Sequence, residues 1–158
     1  MGCCCGTLAR IDTEIEIQAP VAEVWRVFTD FEDHASWNTF CEIRGDIKVG
    51  NIINMLVIKK SMKFKPLVLT FDGTSPIRKE FRWVGNLGAP GLFDGEHFFI
   101  FETVAGDSSK TRFIHGEKFS GCLTLTLLCL IESLLLKETR NGFVELNEAL
   151  KAKIEGHT

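Results

Sequence analysis

The stretch Thr124–Ile154, TLTLLCLIESLLLKETRNGFVELNEALKAKI, decides the fold. Leu128, Ile131, Leu135, Thr139, Phe143, Leu146 and Leu150 recur at steps of three and four, which places them on one face of a helix. At 3.6 residues per turn the run makes roughly eight turns. A helix of that length cannot bury its apolar stripe against itself, so something must wrap it. The segments before it read as strands. The expected class is α+β: a curved antiparallel sheet of about seven strands gripping a long C-terminal helix, with a cavity between them.

Working back from the helix, Lys110–Ser120 is a strand closed by Gly121. Before it come strands at Glu96–Val104, Ile77–Val84, Lys63–Asp72, Asn51–Lys60 and Phe40–Arg44. The turns between them are Gly106–Ser109, Gly73–Pro76 and Gly45–Gly50, with a Gly/Pro loop at Asn86–Gly95. Turn signals at this spacing, with no helix between, describe an antiparallel meander. At the front, Ile11, Thr13, Ile15 and Ile17 alternate with Asp12, Glu14, Glu16 and Gln18, a half-buried strand over Ile11–Gln18. Pro20 suits a first helical turn, and Val21, Val24, Trp25 and Phe28 follow at helical spacing. A helix over Pro20–Phe31 and a shorter one over Glu32–Trp37 are expected.

The 158 residues suit one domain, residues 11–156, preceded by a flexible tail, residues 1–10. The net charge of -3 offers no basic field for nucleic acid. Thirteen Phe and no Tyr give large apolar area without hydroxyls that need partners, which serves a solid core or an apolar pocket equally. The six Cys form no disulfide framework and no secretory signal precedes them, so a reducing, cytoplasmic setting is expected. Cys122–Leu136, with Glu132 inside it, is shorter than the roughly 20 residues a membrane span needs.

The tail begins MGCCCG. Gly2 followed by cysteines looks like a dual-acylation signal, with myristate on Gly2 and palmitate on Cys3 or Cys4. Two acyl chains would hold the protein peripherally to a membrane. Gly6 stands where that motif wants Ser or Thr, and Thr7 comes one place late. The plainer reading is a dispensable tail with oxidisable thiols.

Four stretches carry a family resemblance: IQAPVAEVWRVFTDFEDHASWN, FRWVGNLGAPGLFDGEHFFIFE, TRFIHGEKFSG and RNGFVELNEALK. With the order of elements, they resemble the START-like (SRPBCC) superfamily of helix-grip proteins, and within it the polyketide cyclase/dehydrase-like branch. The resemblance covers about Ile11 to Glu155. It implies a cavity between sheet and C-terminal helix that holds a small hydrophobic molecule.

Alternation assigns the strand faces. Phe113, His115, Glu117 and Phe119 share one face of the last strand, and His97, Phe99 and Phe101 share one face of the strand before it. Placed inward, His115 and Glu117 stand two residues apart among Phe side chains. A carboxylate raises the pKa of a neighbouring His, and an apolar pocket raises that of a Glu. His115, Glu117 and His97 are therefore the candidate acid–base residues of a cofactor-independent cyclase, dehydratase or isomerase. That enzyme is the alternative; the first expectation is a carrier for an apolar ligand, in which the buried polar pair only satisfies itself.

Candidate ligand contacts are Phe99, Phe101, Phe113 and Phe119 on those faces, and Phe81 and Trp83 one strand further. Trp37 stands near the expected mouth. Leu92 and Phe93 sit in the Gly/Pro loop, and Leu135 and Phe143 come from the helix. Gly142 interrupts that helix at a cost of about 1 kcal/mol against Ala, which a cavity-side indentation or a close approach to a strand would justify. No P-loop, GxGxxG, Ser–His–Asp pattern or paired metal-ligand spacing appears, so no cofactor or metal is expected.

Overall fold

The computed structural model describes residues 9–156; within it, the side chains of residue 125 and residues 127–135 are not described. The chain runs β1 (Ala9–Ile17), α1 (Val21–Thr29), a 3-10 turn (His34–Ser36), β2 (Cys41–Arg44), β3 (Asn54–Val57), a second 3-10 turn (Ile58–Lys60), β4 (Met62–Phe64), β5 (Leu67–Asp72), β6 (Arg78–Asn86), β7 (Asp94–Val104), β8 (Asp107–Ser120) and α2 (Thr124–Glu155).

The strands form two antiparallel sheets, one ordered β1-β8-β7-β6-β5 and one ordered β2-β3-β4. The expected single sheet is thus divided, and proline is the physical reason. The stretch read as one strand, Lys63–Asp72, breaks between β4 and β5 at Pro66, which has no N–H for a ladder. Residues 50–53 bridge the gap. Gly50 N–H donates to Val68 O (2.9 Å), Val68 N–H to Asn51 O (2.9 Å) and Ile53 N–H to Pro66 O (3.0 Å). The shorter second helix expected after α1 is a three-residue 3-10 turn.

α2 lies against the large sheet with Phe143, Leu146, Asn147 and Leu150 buried. The space between helix and sheet is solid at one end. There α1 inserts Phe28 among Phe99, Phe101 and Phe113, ring centroids 4.7, 5.2 and 6.0 Å away, and Phe81 stacks on Phe99. At the other end the same space is hollow.

Phe98 points to the outer face of the large sheet and is still only 1% exposed. Arg10, Arg82 and Lys118 stand over its ring at 5.1, 5.2 and 5.9 Å from the centroid. Gly116 on β8, opposite Phe98 in the register, makes the seat: a Cβ there would meet the ring and the carbonyl of Ile11.

Candidate functional site

The hollow end is a cavity of about 220 Å³. One wall comes from the large sheet: Trp83, Gly85, Gly95, His97, Glu117 and Phe119. The second comes from the small sheet, where Met55 and Val57 of β3 face Phe64 and Met62 of β4 in register. Thr139 and Phe143 of α2 close the third side, with Phe40 between helix and small sheet and Phe93 from the Gly/Pro loop. At the rim, Lys60 Nζ lies 2.8 Å from Glu138 Oε2, tying the small sheet to α2 across the opening. Two turns along α2, Lys59 and Glu145 repeat the tie at 2.6 Å.

Of the wall residues on the large sheet, Glu117 carries the carboxyl. Its side chain is 18% exposed, and burial in the apolar wall pushes its pKa up to about 7. Gly95 stands beside Phe119's register position on β7, and a Cβ there would collide with Glu117 Oε1; the missing side chain makes room for the carboxyl. Across the strand pair, His97 is the register partner of Glu117, with Nδ1 3.8 Å from Oε2.

Behind His97 lies a buried polar chain. His97 Nε2 and His115 Nε2 are 2.7 Å apart. His115 Nδ1 is 2.9 Å from Asn147 Oδ1, Asn147 Nδ2 donates to Thr13 Oγ1 at 2.9 Å, and Thr13 Oγ1 donates to the carbonyl of His115 at 2.8 Å. Phe143 stacks on His115 with centroids 4.1 Å apart and meets His97 edge-on at 4.8 Å. Burial drives both imidazoles toward the neutral form. His115 falls to about 3 against the partial support of Asn147, and His97 falls well below its ordinary value, its neighbour His115 adding to the effect.

This corrects one expectation. Glu117 was expected to raise the pKa of His115. Instead His115 turns to the helix and to His97, Glu117 faces His97 across the strand pair, and desolvation outweighs any carboxylate. The expected rise for Glu117 itself is present.

The structure gathers Trp83, Phe93, His97, Glu117, Phe119 and Phe143 at the cavity. His115 stands one layer behind, 0% exposed. Phe81, Phe99, Phe101 and Phe113 belong to the solid core under α1. Trp37 is buried away from the cavity, 4.9 Å from His34, and Leu92 holds Leu123 N–H through its carbonyl at 2.9 Å. The side chain of Leu135, and Gly2, Cys3 and Cys4, lie outside the described residues. Sequence reasoning missed Met55, Val57, Met62 and Phe64 as wall residues, because β3 and β4 are too short to show a clear alternation. It also missed Asn147. The available signal was a polar residue four places after Phe143, on the helix's buried face.

No family model matches the chain, and no curated protein matches it. Among solved structures it is similar to a hypothetical protein of Helicobacter pylori (14% identity, TM-score 0.74, covering 94% of this chain and 89% of that one). It is also similar to a Thermus thermophilus protein (15%, 0.66, covering 95% and 99%). A third is norcoclaurine synthase from Thalictrum flavum, solved with dopamine and hydroxybenzaldehyde (15%, 0.66, covering 95% and 88%). At these identities the likeness is one of fold: the helix-grip arrangement of an antiparallel sheet against a long C-terminal helix. Among the described residues no helix is long and apolar enough to cross a membrane.

Proposed function

We propose that the protein binds a small, largely apolar molecule in the cavity between its two sheets and α2. The observation that carries this reading is a hollow of about 220 Å³ whose wall is Phe, Met, Trp and Val around a carboxyl. Cavities of about 150 Å³ already admit benzene, so this one suits a molecule of one or two rings. Apolar walls with a few convergent polar groups are the ordinary composition of a ligand site. The fold neighbour solved with two small aromatic molecules supports the same use of this architecture.

Native mass spectrometry of the protein from its own cells tests the reading. A stoichiometric small molecule is expected, released on denaturation and absent from Val57→Trp, which fills the cavity. A bare mass in both proteins overturns it.

A second reading is favoured by the raised pKa of Glu117: cofactor-independent acid–base chemistry on the bound molecule, with Glu117 as the proton donor and acceptor and His97 beside it. A carrier keeps its function in Glu117→Gln; an enzyme keeps binding and loses turnover.

The tail is a separate proposal. Ala9 pairs with the cavity residue Phe119, so the segment bearing Gly2, Cys3 and Cys4 joins the domain at its hollow end. Acylation there would hold that end near a membrane. Intact mass, and the distribution of Gly2→Ala between membrane and soluble fractions, test it; an unchanged distribution removes the proposal.

A further inference from the structure

We infer that the cavity selects ligands that bring a hydrogen-bond donor to Glu117: apolar molecules carrying a hydroxyl or an N–H, in preference to isosteric ethers and carbonyls. The inference rests on the binding reading above and adds the polar chemistry of the ligand.

The reasoning starts at the far end of the buried chain. Thr13 has one hydroxyl proton and gives it to the carbonyl of His115 at 2.8 Å, because a carbonyl can only accept. Asn147 approaches the same hydroxyl oxygen at 2.9 Å and must therefore do so with its amide nitrogen. That fixes the amide. Its oxygen faces His115 Nδ1 at 2.9 Å, so Nδ1 carries the proton. A neutral His115 then has a bare Nε2. His97 Nε2, 2.7 Å away, must donate to it. A neutral His97 in turn has a bare Nδ1, and Nδ1 is the atom that faces Glu117. A further proton on His115 Nε2 would set two donors against each other at 2.7 Å in a pocket of aromatic rings.

The direction set by Thr13 on β1 thus arrives at the cavity wall as a lone pair. When Glu117 is protonated, that lone pair is the acceptor for its proton; a small torsional change or one bridging water spans the 3.8 Å. When Glu117 is ionised there is no proton to offer. In both states Oε1, seated over the lining residue Gly95, accepts. Among the described residues, the other charged groups that line the cavity, Lys60 and Glu138, are engaged with each other at the rim.

Two measurements on the full chain test this. In protein labelled with ¹⁵N-histidine, NMR should show His97 as the Nε2–H tautomer and His115 as the Nδ1–H tautomer; the reverse at either residue overturns the inference whether or not any probe binds. In calorimetric titrations, 2-naphthol should bind roughly ten-fold more tightly than 2-methoxynaphthalene or 2-naphthaldehyde, and Glu117→Leu should remove the difference. Equal affinity for the three, or a preference for the aldehyde, overturns the inference and leaves the binding reading standing. Failure of all three to bind counts against the binding reading, and the tautomers then decide the direction of the chain by themselves.

Discussion

The ring of Phe40 is seated on the backbone of Gly142, at a place where a Cβ on the helix would lie 2.6 Å from Phe40 Cδ2. The glycine that interrupts α2 is therefore a socket. It lets an aromatic side chain from the segment before β2 sit against the helix and form a corner of the cavity, where it meets Phe143 edge-on at 5.6 Å.

Gly142→Ala sets two effects against each other. Helix propensity gains about 1 kcal/mol, while the Phe40 ring must leave its seat. The ring is rigid, so the clash should win, with a net loss of roughly 1–3 kcal/mol by urea denaturation. Phe40→Leu should tolerate the added methyl better than Phe40 does. A double-mutant cycle with no coupling between the two positions would refute the socket.

Stability should depend on pH in two opposed ways. His115 and His97 have folded pKa values below the unfolded value of about 6.5, so their contribution is complete above that pH and is lost as pH falls below it, for His115 down to about 3. Glu117 is raised to about 7, so its contribution is complete below its unfolded value and is lost as pH rises through 7. Between pH 5 and 7 the two effects oppose each other, so stability climbs toward neutral pH less steeply than the histidines alone would make it. Glu117→Gln removes the opposing effect, so its stability should climb more steeply over that range, by roughly 2 kcal/mol. Unfolding free energies at pH 5, 6 and 7 check this, and equal slopes for the two proteins would refute it.

Thr13→Val keeps the shape of the side chain and removes the hydroxyl. The amide nitrogen of Asn147 and the carbonyl of His115 then lose a partner in a buried place, at a cost of roughly 1–3 kcal/mol. The ¹⁵N shifts of both histidines should change as well, which simple loss of packing would not produce.

Lys60 and Glu138 are an exposed pair, with side chains 37% and 49% accessible, so Lys60→Ala should cost less than about 1 kcal/mol. Its effect should appear in kinetics. With the rim tie gone, stopped-flow release of 2-naphthol should speed up several-fold at little change in stability; an unchanged release rate would show that ligands leave by another route.

The parts of this molecule legible in the sequence are those set by local period. α2, Thr124–Glu155, was readable almost to its ends from the spacing of its apolar residues. The inward face of β8 was readable from strict alternation, and Phe113, His115 and Phe119 are buried as that pattern requires. Non-local partners were not readable. His115 and Glu117 are two apart in sequence and invite pairing, but the register of β7 on β8 sets Glu117 against His97, and the helix supplies Asn147 to His115. Which Phe side chains fill the core and which bound the cavity depends on how far α1 reaches along the sheet, and no residue pattern encodes that distance.

Phe98 and its three cations bear on how the molecule behaves in a crowd. An aromatic ring on the outward face of a sheet ordinarily offers a neighbour something to stick to. Here Gly116 lets the ring sink, and Arg10, Arg82 and Lys118 roof it with charge. Asp12, Glu80 and Glu96 pair with those cations, so copies that meet on this side meet a hydrated layer of paired ions rather than an apolar ring. A side chain at residue 116 would lift the ring through that layer and give the surface an adhesive spot, so the smallest residue on β8 also guards the protein against clumping with itself.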